Sequence, residues 1–173
     1  MPLEVLIVDD NVTYTRLHSQ NIEEVVLGKQ SNSQGTHPPL EINKTFVSNY
    51  ADAIAALDRT YDLYIIDGQF PKTGAEKKIY SLGAKLVDKI IKAKGSSDGI
   101  IFISSNPPQL NAAKILGVKY IINKHGTQVE SEWQLNYRDM QDFISKALQD
   151  INHPYASRSN YGTISSTASQ PAE

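Results

Sequence analysis

Leu3-Glu4-Val5-Leu6-Ile7-Val8-Asp9-Asp10-Asn11 is a near-continuous apolar run that stops abruptly on two carboxylates and an amide. Such a run suits a strand buried on both faces, as in a parallel sheet, better than a half-exposed strand with strict alternation. Four more runs follow at Glu41–Val47, Asp62–Ile66, Gly99–Ile103 and Val118–Ile122. The second alternates more, which places it nearer an edge. Helix-period segments lie between and after them. The first carries Tyr14, Leu17, Asn21, Ile22 and Val25 on one face; the next carries Tyr50, Ala53, Ile54 and Leu57. Leu86, Val87, Ile90 and Ile91 mark a third, and Leu110, Ala113 and Leu116 a weaker fourth. Met140, Phe143, Ile144, Ala147, Leu148 and Ile151 mark a strong fifth. The order βαβαβαβαβα predicts an α/β fold with parallel strands and helical crossovers.

Composition narrows the function. The chain has 173 residues, 40% of them hydrophobic, with 17 Lys+Arg against 19 Asp+Glu and a net charge of −2. No strongly basic surface is available to bind nucleic acid by charge, and no helix-turn-helix is evident, so direct nucleic-acid binding is not expected. Cys is absent, which excludes disulfides, thiolate zinc sites and Cys nucleophiles. No apolar run approaches the roughly 18 residues of a membrane span, and the N-terminus does not read as a signal peptide. A soluble cytoplasmic protein is the expectation. Gly28–Leu40 reads as an extended loop after the first helix, and residues 72–82 as an insert after the third strand. Residues 1–151 are expected to form the domain. Residues 152–173, with five Ser and two Thr, read as a disordered tail.

In a parallel sheet functional groups collect beyond the carboxyl ends of the strands. Here those ends carry Asp9-Asp10-Asn11, Asp67, Ser104-Ser105 and Lys124. Three converging carboxylates repel, so a pKa must rise or a cation must bind. Mg2+ accepts one or two carboxylates plus water and phosphate oxygens. A carboxylate beside Mg2+ and a lysine is equipped to attack a phosphoryl group, with the Ser104 hydroxyl bonding one of its oxygens. Ser104 is favoured over Ser105 because it directly follows the apolar run.

These strand ends, with Phe70-Pro71 and the stretch Gly117 through Lys124, resemble the receiver domain of bacterial two-component response regulators over about Leu3 to Ile151. The resemblance implies a five-stranded, doubly wound, flavodoxin-like (βα)5 fold of the single-domain, chemotaxis-receiver type. It implies that Asp67 is the phosphoacceptor. It implies that Asp10, Asp67 and the backbone carbonyl of Gln69 hold Mg2+, with Asp9 acting through a water. Ser104 and Lys124 would contact the phosphoryl group. The donor would be a histidine kinase or phosphotransfer protein, and output would pass to a downstream protein partner in a phosphorelay. No enzymatic activity is expected.

Three departures bear on this. Gly83 opens the third apolar helix pattern better than Gly74, which leaves the insert with Lys72, Lys77 and Lys78. The position three before Lys124, aromatic in the family, is Ile121; its neighbour Tyr120 points to the opposite face of the sheet. His125 follows Lys124 where the family has Pro. These departures suit the alternative of a receiver-like interaction module that is not phosphorylated. A third reading, a haloacid-dehalogenase-like phosphohydrolase, fails because Asn11 replaces its general acid and Asp67 is left without a role. Trp133 reads as a packing residue. His18, His37, His125 and His153 show no metal spacing and read as surface residues.

Overall fold

A computed structural model of the protein describes residues 1–27, 41–124 and 132–155, with the side chains of 132–138 excepted. The Gly28–Leu40 loop, His37, His125, the Trp133 side chain and the tail beyond residue 155 lie outside the described residues.

Five strands form one sheet: β1 (Leu3–Val8), β2 (Ile42–Val47), β3 (Leu63–Asp67), β6 (Ile100–Ser104) and β7 (Tyr120–Asn123). Their order is β2-β1-β3-β6-β7, and every neighbouring pair is parallel. Helices α1 (Val12–Leu27), α2 (Tyr50–Ala56), α3 (Gly83–Lys94), α4 (Pro107–Ile115) and α5 (Glu132–Asp150) complete the (βα)5 succession. β2 is an edge strand, as its alternating sequence suggests, and its residues are only partly buried.

Alternation within each run explains why it is continuously apolar. Leu3, Val5 and Ile7 face a core that includes Ile22, Val25 and Val26 of α1 and Ile144, Ala147 and Leu148 of α5. Leu6 and Val8 face the other core, with Ala53 of α2, Leu86, Val87 and Ile90 of α3 and Ala113 of α4. The central strands are therefore covered on both sides. Each fully buried large side chain contributes about 1.5–3 kcal/mol. Asn21, the polar exception on α1, is 1% exposed, and its Oδ1 accepts from Gln141 Nε2 of α5 at 3.2 Å.

The insert is a small antiparallel hairpin, β4 (Phe70–Pro71) paired with β5 (Ile79–Tyr80). The Lys72 carbonyl accepts the Ala51 N–H at 2.9 Å, which ties the hairpin to α2. The Lys72 and Lys78 ammonium groups lie 4.3 and 5.2 Å from the centroid of the Tyr80 ring. Gly83 opens α3, and its N–H donates to the Gly68 carbonyl at 3.0 Å.

Beyond residue 151 the chain stays packed through Tyr155. The His153 N–H donates to the Leu148 carbonyl at 3.0 Å, and the Tyr155 hydroxyl donates to the Met1 carbonyl at 3.1 Å. His153 and Tyr155, each 7% exposed, anchor a segment of four residues, too short for a periodicity to reveal it. His18 and His153 are buried rather than on the surface. His18 is enclosed beneath the end of β1, and His153 packs edge-on against Tyr155 with ring centroids 4.6 Å apart.

Candidate functional site

The carboxyl ends of β1, β3, β6 and β7 converge as the parallel register requires. Asp67 pairs in register with Ile103, and Ser104 with Asn123. The Gly68 N–H donates to the Ile103 carbonyl at 2.7 Å, and the Lys124 N–H to the Ser104 carbonyl at 2.9 Å. Main-chain bonds thus fix the spacing of the side chains.

Asp67 is 6% exposed. Lys124 Nζ donates to its Oδ2 at 2.8 Å and stands 3.5 Å from Asp9 Oδ2. Asp9 is 4% exposed, and its Oδ1 accepts the Asn11 N–H at 2.8 Å. Its Oδ2 is buried without a hydrogen-bond partner. Asp10 is exposed beside them, and ligand oxygens of Asp9, Asp10 and Asp67 lie within 4.8 Å of one another. Ser104 is fully buried, and its Oγ accepts the Asn106 N–H at 3.0 Å. Gly68 sits against it: a β-carbon there would come within 2.3 Å of that Oγ, so no larger residue fits without displacing Ser104. Gln69 is half-buried at the start of the hairpin. Asn11 caps α1, its Oδ1 accepting the Thr13 N–H at 2.9 Å, which gives it a structural task in place of acid catalysis.

The electrostatics follow from this crowding. Burial pushes the Asp67 carboxyl up to about 6; the Lys124 ammonium pulls against that, and the Asp9 charge adds to it. Asp10 is also raised, by partial burial and then by Asp9. Burial works to lower the Lys124 ammonium, but Asp67 and Asp9 together outweigh it and hold it raised. The donor set fits a hard divalent cation: three carboxylates crowd together, one of them open to solvent, and one buried oxygen has no hydrogen-bond partner.

A pH dependence follows. Asp67 ionises near 3.9 in an unfolded chain and near 6 in the folded one. The native state binds more protons across that window, so stability falls as pH rises from about 4 to 6 and then levels. The contribution is up to about 3 kcal/mol. Urea melts of the metal-free protein and Asp67→Asn should therefore diverge: the variant gains on the parent between pH 4 and 7.5. A stability difference that stays constant with pH would refute the assignment of the shift to Asp67.

No family model matches the chain, and no curated protein matches it in sequence. Solved structures do. A CheY-like response regulator receiver domain protein from Methanospirillum hungatei JF-1 is 15% identical, with a TM-score of 0.59 over 88% of this chain and 98% of that one. The phosphorylated cyanobacterial phytochrome response regulator RcpA is 17% identical, with a TM-score of 0.56 over 87% and 96%. The Mn2+-bound form of response regulator Rcp1 is 15% identical, with a TM-score of 0.51 over 82% and 92%. This chain has the fold of a response-regulator receiver domain. In the receiver fold the acidic cluster of Asp9, Asp10 and Asp67 stands at the carboxyl ends of β1 and β3. No helix among the described residues is long and apolar enough to cross a membrane.

Sequence reasoning does not single out two groups beside this acidic cluster. Tyr14 and His18 lie one turn apart on α1, their rings stacked with centroids 6.4 Å apart. His18 Nε2 is 3.5 Å from Asp9 Oδ2, and the Lys124 ammonium is 4.3 Å from the Tyr14 centroid. The available signal was an aromatic pair at i, i+4 on the helix that follows Asp9-Asp10-Asn11.

Proposed function

We propose that the protein is a phosphorylatable receiver. Asp67 takes a phosphoryl group from the phosphohistidine of a kinase or phosphotransfer protein and signals by changing its affinity for a protein partner. The observation that carries this reading is the buried Asp67 carboxylate. It is held by Lys124 at 2.8 Å and flanked by two further carboxylates. A carboxylate oxygen of Asp67 attacks phosphorus; the P–O bond forms as the P–N bond breaks, and the imidazole leaves with the electron pair. Lys124 offsets the charge of the incoming oxygens, and the Ser104 hydroxyl donates to one of them. Asp10, Asp67 and the Gln69 carbonyl would hold Mg2+, with Asp9 acting through water. The cation supplies charge neutralisation at the phosphoryl oxygens.

Intact mass after incubation with acetyl phosphate and Mg2+ tests this. A single phosphoryl adduct, absent when EDTA is present, is expected. No adduct and no Mg2+ binding would overturn the reading.

One observation favours the second reading, an unphosphorylated interaction module. Tyr120 packs on Phe143 of α5 with centroids 5.3 Å apart and donates to Asp150 at 2.9 Å, while Ile121 lies against the core on the α4 side. The sheet therefore has no aromatic ring on the α4 face of β7 to turn toward Ser104.

A further inference from the structure

The Lys124 ammonium has a partner on α1 that the phosphoacceptor reading leaves without a role. It bonds Asp67 Oδ2 at 2.8 Å and also stands 4.3 Å from the Tyr14 ring centroid, which places that centroid no more than about 7 Å from the acceptor oxygen. The ring is itself held: Tyr14 stacks on His18 one turn along α1, the planes 18° apart, and His18 is 5% exposed. Tyr14 is half-buried at the rim. We propose that Tyr14 is a positioning residue for Lys124, holding its ammonium against the ring face while that group moves from Asp67 to the arriving phosphoryl group. The proposal rests on the reading of Asp67 as phosphoacceptor.

The physical case is one of directionality. Lysine carries its charge on a flexible four-carbon stem and loses considerable rotamer freedom when fixed. In the resting chain the hydrogen bond to Asp67 fixes it. Transfer to Asp67 puts a phosphoryl oxygen where the ammonium must follow, so that bond must be given up. A hydrogen bond from α1 would resist the shift because it weakens steeply with angle and distance. A cation over a ring face stays attracted anywhere within about 6 Å of the centroid. Tyr14 thus restrains Lys124 without choosing between its two anionic partners. The contribution comes from the face of the ring, so phenylalanine should serve and leucine should not.

Tyr14→Phe and Tyr14→Leu, both checked by thermal melt, separate this role from simple packing. With acetyl phosphate and saturating Mg2+, the Phe variant is expected within about twofold of the parent rate. The Leu variant is expected about tenfold slower, within the range of a partly desolvated cation–π contact. In 13C-lysine-labelled protein, one ε-methylene signal, assigned by its loss in Lys124→Arg, should be displaced upfield by the ring. It should stay displaced in the Phe variant and return in the Leu variant. A Leu variant that matches the parent rate, or an undisplaced Lys124 signal in the parent, overturns the proposal. If the parent takes no phosphoryl group and binds no Mg2+, the phosphoacceptor reading fails; the NMR signal then decides by itself whether Tyr14 holds Lys124.

Discussion

Asp67→Asn should abolish the phosphoryl adduct that acetyl phosphate and Mg2+ leave on the parent, and should do so without unfolding the chain. The amide keeps the volume and shape of the carboxylate but lacks its nucleophilic charge. The neighbours are poorly placed to substitute. Asp9 has one oxygen occupied by the Asn11 N–H and the other buried between Lys124 and His18, each 3.5 Å away. Ser104 is fully buried, with its Oγ accepting from Asn106. Asp10 is exposed, and Lys124 makes no ion pair with it among the described residues. Among the described residues, only Asp67 combines burial with a hydrogen bond from the Lys124 ammonium. The folded state should survive, since the substitution removes a carboxylate whose ionised form burial disfavours. Intact mass and a thermal melt of the same sample give both answers. An adduct of undiminished yield on a folded Asp67→Asn chain would move the acceptor elsewhere and dismantle the site as drawn.

The sheet was legible because its central strands are buried on both faces, which leaves continuous apolar runs such as Ile100–Ile103 ending on a polar residue. The acidic cluster was legible for the same reason: once the strands are parallel, Asp9, Asp10 and Asp67 must meet at one rim. Other features lacked a periodic signal. β4 and β5 are two residues each, too short for alternation to show, and the bonds that flank the hairpin, Ala51 N–H to the Lys72 carbonyl and Gly83 N–H to the Gly68 carbonyl, are main-chain bonds that no side chain announces. His18 occupies a buried position on α1, yet a histidine on a helix reads as polar when hydrophobic period is the guide. Tyr14 reads as part of the core face; its contact with Lys124 joins residues 110 positions apart and exists only once α1 is docked against β1 and α5 and the strand ends are in register. The split between Tyr120 and Ile121 was legible, because neighbouring residues of a strand must face opposite layers. Tyr120 lies with Phe143 and Asp150 on one side, and Ile121 with the α4 core on the other.

Gly83→Ala should be strongly damaging for the addition of a single methyl group. Gly83 opens α3 where that helix meets the end of β3. A β-carbon there would stand 2.2 Å from the Asp67 carbonyl oxygen, 2.5 Å from Gly68 Cα and 3.0 Å from the Asp67 carbonyl carbon. All three are main-chain atoms, so no rotamer change relieves the contact; either α3 or the end of β3 must move. Overpacking of this kind costs about 1–3 kcal/mol and occasionally more. The better helix propensity of alanine returns about 1 kcal/mol at most. A net loss of about 2 kcal/mol in urea melts is expected. The site should suffer more than the fold, because the displaced residue carries the acceptor, and a misplacement of about 1 Å costs roughly a hundredfold in rate. Gly74→Ala is the matched control: its β-carbon would meet only Asn49 Nδ2, at 3.5 Å, and both stability and adduct formation should stay near the parent. A Gly83→Ala chain as stable as the Gly74→Ala chain, and phosphorylated as fast, would show that α3 does not abut Asp67. The hairpin would then no longer be fixed against the acceptor strand from both ends.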